Sequence, residues 1–302
     1  MRMTGGFEAA VTSARRPAVA GSFYPADADE LAGLVDGLLA AARPADDAVA
    51  ATATGLAGVL VPHAGLVYSG HVAAVAWRLV TNTAPTTIVM LGTNHRAGWL
   101  RGVAVWDADA WRTPLGAVEV DADLAAEIVA LGPPFMADRA AHRSEHSIEV
   151  QLPFVRRALP GTRIVPLAIS AGRGESAVRA GARLGALLAE RRVSGAHVCL
   201  AISTDMAHYP PATVAALVTE ELAPVILGSD AAELARQEAK ISDAGLPGVV
   251  CGMCGIEPTV LGLAALRAMG VKHGVRLAAA TSADAGGPRE HTVGYFAAAF
   301  PD

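Results

Sequence analysis

A short run of branched apolar residues that ends in proline and histidine constrains this chain more than any other stretch. From Gly58 the sequence reads G-V-L-V-P-H-A-G-L-V-Y-S-G. Branched apolar residues bounded by proline and glycine predict a buried strand that ends in a turn. His63 stands at the last step of that strand. Open α/β sheets carry their reactive groups at this position, so the stretch indicates an α/β fold with a site near His63.

Two further apolar runs end in the same way. Residues 87–91 lead into L-G-T-N-H, which places His95 just beyond the predicted strand. Residues 197–202 lead into S-T-D-M-A-H, which offers Asp205 and His208. Three predicted strands therefore each deliver a histidine beyond one end, and we expect those ends to converge on a single site.

Histidines in this arrangement are candidate metal ligands. Imidazole is the commonest transition-metal ligand, and His63, His95 and His208 together could hold iron, copper or zinc. Taken singly, each of them is better explained as a hydrogen-bonded loop or core histidine. Asp205 has two interpretations: it orients a histidine or binds the metal, or it caps the turn that follows.

The order of the predicted elements favours a single α/β domain. A strand near residue 59, a helix over residues 69–80 and a strand over residues 87–91 form a β-α-β unit, which predicts a parallel pair with a crossover helix. No stretch resembles an interdomain linker. We therefore predict a flexible N-terminal tail over residues 1–15 and one domain over residues 16–302, with a central mostly parallel or mixed sheet flanked by helices.

The composition excludes several classes of protein. Of 302 residues, 52% are hydrophobic and 18% charged, which permits a large core and argues against disorder. The net charge of -5 and the lack of a basic run argue against nucleic-acid binding. Charges interrupt the apolar runs before membrane-spanning length, so no membrane association is expected. Three cysteines and no visible secretory signal predict a cytoplasmic protein.

A second group of candidate residues precedes Pro153. Residues 145–159 predict a helix, with Pro153 either kinking it or lying near its start. On such a helix Glu145 and Glu149 share a face, and His146 meets Glu149. The spacing fits a site role and an ordinary solvated face equally well.

The cysteines supply a third group. Cys251 and Cys254 form a C-x-x-C at the start of a predicted helix, a position that suits metal binding or disulfide chemistry. Buried inert cysteines are the alternative. Glu257 either faces the same site or lies in solvent at the helix start.

Several motifs, taken in order, resemble one family. They are V-P-H-A-G-L-V-Y-S-G, L-G-T-N-H, W-R-T-P-L-G, E-H-S-I-E-V-Q-L-P-F, S-T-D-M-A-H and C-G-I-E-P, with A-G-S-F-Y-P near the start and V-G-Y-F-A-A-A-F near the end. Together they resemble the MEMO family, whose bacterial members are called AmmeMemoRadiSam system protein B. The resemblance extends over residues 16–300, and the E-H-S-x-E-x-Q-L-P segment together with P-H-A-G is its most specific part.

The resemblance implies a fold similar to the class III extradiol dioxygenases, which are LigB-like non-haem iron enzymes. It also implies a mononuclear metal held by His63, His95 and Cys254, since Cys254 keeps the family's C-G-x-x-P spacing. Cys251 and Glu257 remain alternatives for the third ligand. A thiolate in place of the dioxygenases' carboxylate softens the site, so iron(II) or copper is expected, with zinc as a substitute.

The resemblance further implies roles and partners. Asp205 and His208 match the family's D-x-x-H, with His208 similar to an acid/base residue beside the substrate, while Glu145 and His146 line the pocket. The implied function is redox chemistry on a small substrate or on oxygen. The alternative is a non-catalytic module that binds a peptide or other ligand in the same pocket. The bacterial family name suggests a radical-SAM protein and AmmeMemoRadiSam system protein A as partners.

Overall fold

The structure, a computed structural model, describes residues 14–53 and 55–302. Most of the predicted N-terminal tail therefore lies outside the described residues. Arg15, which was placed in that tail, is instead buried, and its backbone pairs with that of Trp111. The folded part thus includes at least one residue before the predicted domain start.

Helices and strands alternate along the chain. The strands are β1 Leu56–Val61, β2 Thr87–Thr93, β3 Gly102–Val105, β4 Ala110–Thr113, β5 Gly116–Glu119, β6 Phe135–Ala137, β7 Arg163–Ser170, β8 Val198–Ser203, β9 Val275–Thr281 and β10 Gly294–Pro301. The helices are α1 Ala28–Ala41, α2 Asp46–Thr52, α3 Leu66–Thr83, α4 Ala122–Ala130, α5 Leu152–Ala158, α6 Glu175–Val193, α7 Ala212–Leu227, α8 Ala231–Asp243 and α9 Ile256–Ala268.

The main sheet has the strand order β6-β3-β7-β2-β8-β1-β10-β9, and β4 pairs with β5 in a separate hairpin. The four central strands, β7, β2, β8 and β1, run parallel, whereas β3 joins β7 and β10 joins β1 in the antiparallel sense. This mixed sheet confirms the predicted fold class. The predicted direct pairing of β1 with β2 is wrong, because β8 lies between them and pairs with both.

The sheet separates two hydrophobic layers, since successive side chains of a strand point to opposite faces. In β1, Leu60 packs into the layer covered by α4 and α6 to α9. Its neighbours Val59 and Val61 pack into the layer covered by α1, α3 and α5. Both faces of the central strands are therefore buried, which accounts for their almost continuous apolar sequence.

The predicted helix over residues 145–159 is wrong in its first half. Helix α5 begins at Leu152, and Glu149–Gln151 form a single 3-10 turn before it. Pro153 lies in the first turn of α5, where its missing N–H leaves no helical hydrogen bond unmade. Residues 143–148 are non-helical, so Glu145 and Glu149 do not share a helix face.

Among the helices of the described residues, none combines the length and hydropathy that crossing a bilayer requires.

Candidate metal centre

Three neighbouring strands end at one edge of the sheet. His63 follows β1 after Pro62, His95 lies two residues beyond β2, and Asp205 lies two residues beyond β8. Since β2, β8 and β1 are adjacent and parallel, these side chains emerge side by side. The rings of His63 and His95 lie 5.4 Å apart between centroids. The structure therefore brings together the three strand ends that the sequence analysis expected to converge.

A cavity of about 600 Å³ opens above these strand ends. Its polar floor contains the side chains His63, His95, His146, Asp205 and Cys254. Aromatic side chains line much of the rest, namely Phe23, Tyr68, Tyr209 and Tyr295. A concave, mostly apolar pocket with a few convergent polar groups is typical of a small-molecule site.

Hydrogen bonds fix the tautomer of His63. Its Nδ1 lies 3.1 Å from Ser203 Oγ, and the Ser203 hydroxyl donates its own proton to the carbonyl of Ser147 at 2.6 Å. The Ser203 oxygen must therefore accept from Nδ1–H of His63, which leaves a lone pair on Nε2. Burial, and then the neighbouring His146 and His95, lower the pKa of His63 well below its ordinary value. His63 is thus a neutral imidazole with a free Nε2, the form that binds metals.

Glu145 orients His95. Its carboxylate lies 2.9 Å from His95 Nδ1 and accepts from the His95 backbone N–H at 2.6 Å. The backbone N–H groups of His146 and Ser147 also donate to it. Burial alone would raise the pKa of Glu145, but the hydrogen bond to the His95 ring, the electrostatic interaction with that ring and the backbone N–H groups lower it below its ordinary range. An ionised carboxylate behind a histidine fixes the ring and leaves Nε2 for a ligand.

His146 is a candidate ligand that the sequence analysis assigned only to the pocket wall. Its ring stacks on that of His95, with 4.6 Å between centroids. Its Nδ1 is buried without a hydrogen-bond partner, and burial lowers the pKa of His146 to about 4. One ring nitrogen from each of His63, His95 and His146 lies within 4.8 Å of the others. The one sequence signal for this ligand role is that His146 directly follows Glu145 in the E-H-S motif. The predicted helix obscured that signal, because on a helix the His146 side chain would point in a different direction.

Cys254 and Asp205 form the other side of the floor. Cys254 Sγ lies 3.2 Å from His63 Nε2 and accepts from the Asp205 backbone N–H at 3.4 Å. Asp205 accepts from the backbone N–H of His63 at 2.7 Å. Burial raises the pKa of Asp205 to about 7, and burial together with the Asp205 charge raises the pKa of Cys254 well above its ordinary value. A bound cation would reverse both shifts, because it stabilises the thiolate and the carboxylate.

The described residues offer two overlapping ligand groups rather than the single predicted set. His63, His95 and His146 form one group, and His63, Asp205 and Cys254 form the other. His63 belongs to both, while no group combines His95 with Cys254. A chemically mixed set of imidazole, thiol and carboxylate donors fits a transition metal.

The two alternative third ligands lie away from this floor. The Glu257 carboxylate accepts from the backbone N–H of Gly172 at 3.1 Å and does not line the cavity. Cys251 belongs to neither ligand group, and burial, followed by the charge of Glu238, raises its pKa to about 11. Of the three candidates, only Cys254 contacts His63.

His208 lines the cavity but belongs to neither ligand group. Its Nε2 is buried and has no hydrogen-bond partner. Burial lowers the pKa of His208 to about 4, so the ring is neutral at pH 7. A neutral ring keeps one nitrogen that can accept a proton, and the side chain lines the cavity in which a substrate would bind.

Known proteins resemble this chain along its whole length. The family model described as Memo-like protein matches residues 15–299. The MEMO1 family protein of Aquifex aeolicus is 34% identical over 287 residues, which cover 95% of this chain and 98% of that protein. A MEMO1 family protein of Methanopyrus kandleri is also 34% identical, with 95% and 98% covered.

A solved structure shares the fold. An uncharacterized protein from Escherichia coli K12 superposes with a TM-score of 0.54 at 16% identity, and the match covers 81% of this chain and 99% of that one. At this identity the likeness concerns the fold alone. The family model and the relatives, which span nearly the whole chain, lead to a firmer conclusion: this chain belongs to the Memo-like protein family.

Proposed function

We propose that this chain is a metal-dependent redox enzyme that holds one iron(II) or copper ion and acts on a small substrate or on oxygen. His63, His95 and Cys254 are the proposed ligands, with His146 and Asp205 close enough to complete or exchange with them. The observation that carries the proposal is the position of His63. Its Nε2 lies 3.2 Å from Cys254 Sγ, and its ring lies 5.4 Å from that of His95 and 5.5 Å from that of His146 between centroids.

The residues around the floor have distinct tasks in this proposal. Ser203 and Glu145 orient the two histidines, and Asp205 anchors the backbone at His63. Bound iron or copper would supply the one-electron chemistry that no protein side chain here provides. The neutral His208 accepts a proton from a substrate group that binds beside it. The aromatic walls exclude water from the reacting groups.

Metal analysis of a double variant tests the site. We expect H63A combined with H95A to lose stoichiometric iron, copper or added zinc, because two of the three proposed ligands are absent. H273A is the matched control, since His273 is an exposed histidine outside the cavity. Full metal retention in the double variant with an unchanged fold would refute the site.

Oxygen uptake separates the enzyme from the alternative, a non-catalytic binding module. A specific feature favours that alternative: Val67, Tyr68 and Tyr209 line the cavity and remain 65%, 44% and 55% exposed. Such a rim suits an apolar peptide side chain. Oxygen consumption by the iron-loaded or copper-loaded protein supports the enzyme. A redox-silent metal-loaded protein that still binds peptide at this rim would support the module.

A further inference from the structure

We propose that Arg15 and Glu149 are positioning residues of the metal centre. They connect an N-terminal strap, residues 15–24, to segment 142–149, whose non-helical part, residues 143–148, carries Glu145 and His146. The metal-binding test of this proposal rests on the proposed function, whereas its test on metal-free protein does not.

The Arg15 side chain donates hydrogen bonds to backbone carbonyls that would accept from backbone N–H groups if this segment were a helix. Its side chain is 2% exposed, and its guanidinium stacks over Trp111 at 4.1 Å from the ring centroid. Nε donates to the carbonyl of His142 at 2.7 Å, and Nη2 donates to the carbonyl of Glu145. Buried carbonyls outside regular structure need such donors. One guanidinium therefore fixes the backbone at two points, three residues apart.

Glu149 holds the strap from the other side. Its carboxylate is fully buried and pairs with Arg15 Nη1. It also accepts from the backbone N–H groups of Ala18 and Val19 and from the Tyr24 hydroxyl, the last at 2.6 Å. These bonds close a ring of contacts between the strap and segment 142–149.

This network reaches the metal ligands by two short routes. The first passes through Glu145, whose carbonyl Arg15 holds while its carboxylate orients His95. The second passes through Phe23, which precedes Tyr24 in the strap and contacts the His146 ring at 4.7 Å between centroids. A metal site requires its ligands within about 0.5 Å of the productive geometry. The strap thus acts on the positions of His95 and His146 without touching the ion.

The first test is a cobalt(II) titration of full-length R15K. Lysine keeps a charge opposite Glu149 but lacks the fork that holds two carbonyls at once. We expect cobalt affinity to fall about tenfold or more, as for changes to outer-shell partners, and the visible spectrum of the bound ion to change. R157K is the matched control, because Arg157 forms a two-point ion pair with the exposed Asp36 and neither residue lines the cavity. It should titrate like the wild type.

A second measurement uses metal-free protein, so its result does not depend on whether the proposed function is correct. Nitrogen-15 NMR of the histidine rings should show one tautomer of His95 in the wild type and a mixture in R15K. Should R15K not fold, Y24F removes only the hydroxyl bonded to Glu149 and should show smaller changes of the same kind.

The outcomes are separable. A folded R15K with wild-type cobalt affinity, spectrum and His95 tautomer would overturn the positioning role, as would the same result for Y24F if R15K does not fold. A wild type that binds no metal would instead defeat the proposed function, and the tautomer would then decide the role of Arg15.

Discussion

Two buried polar clusters adjoin the segment 142–149, and they differ in whether the residues with unpaired ring nitrogens line the cavity. In the first, the Glu149 carboxylate accepts from Arg15, from Tyr24 and from two backbone N–H groups. In the second, His146 Nδ1 and His208 Nε2 are buried without a hydrogen bond to any described residue, and His146 Nδ1 has Glu145 Oε1 nearby, at 3.4 Å. Trp111 Nε1 and His142 Nδ1, which adjoin the first cluster, also lack hydrogen-bond partners but lie outside the cavity lining. The first cluster is therefore closed, and the second is open toward the cavity.

The difference identifies which cluster awaits a ligand. Leaving a buried polar atom unsatisfied costs about 1–3 kcal/mol. This free-energy cost is removed when a bound metal ion or substrate supplies the missing partner. We therefore expect loss of a partner in the closed cluster to lower stability as well as metal affinity, and changes in the open cluster to act mainly on metal binding.

The largest expected effect is on the closed cluster. E149A leaves Arg15 as a buried charge without its partner, so the free energy of unfolding should fall by about 3–5 kcal/mol. Urea denaturation measures this change in the free energy of unfolding. D36A, which breaks the exposed Asp36–Arg157 pair, is the control and should change the midpoint little. Equal losses in the two variants would contradict the distinction drawn between the clusters.

The substitution E145Q tests the open cluster. The amide keeps the shape of Glu145 but loses the charge behind His95, so metal affinity should fall by up to about 100-fold. Competition with a chelator of known affinity measures the change. E119Q, at an exposed glutamate of the separate hairpin, serves as the control. An E145Q protein with unchanged affinity and lower stability would place Glu145 in the closed cluster instead.

The pH dependence of stability gives a third test. Burial lowers the pKa of His142, next to Arg15, to about 4. Its contribution is complete above the unfolded pKa of about 6.5 and is lost as the pH falls toward 4, with a slope near 1.4 kcal/mol per pH unit. In chelator-treated protein, H142Q should flatten the stability profile between pH 6.5 and 4. An unchanged slope would show that His142 protonates equally well in the folded state.

S203A should have the smallest effect. Without its hydroxyl, His63 Nδ1 loses its acceptor, and metal affinity should fall about tenfold. S282A is a suitable control because Ser282 lines the cavity away from the ligands. An S203A protein that binds metal as tightly as the wild type would mean that packing alone sets the His63 tautomer.

The sequence could predict the part of the site that lies at the strand ends. His63, His95 and Asp205 each follow an apolar run, and a parallel sheet necessarily gathers such positions at one edge. The family resemblance added Cys254, which no periodicity connects to the strands. The insertion of β8 between β1 and β2 could not be predicted, because local pattern does not determine strand order.

The segment before Pro153 shows why the remainder was missed. A helical pattern over residues 145–159 placed Glu145 and Glu149 on one face, whereas the two carboxylates serve different clusters. A buried arginine replaced the helical hydrogen bonds of this segment, and tertiary contacts of that kind leave no local trace. Arg15 itself, the first of two arginines ahead of Pro17, gave no sign of burial.

The contact between Cys254 and His63 joins residues 191 positions apart in the chain. During synthesis, the imidazole leaves the ribosome long before the sulfur that faces it exists. The proposed metal centre uses both residues, so it could form only after residue 254 had been made, and a chain truncated before that position would lack its sulfur ligand. Loading of the proposed site would thus depend on the C-terminal part of the chain as well as on the strand ends.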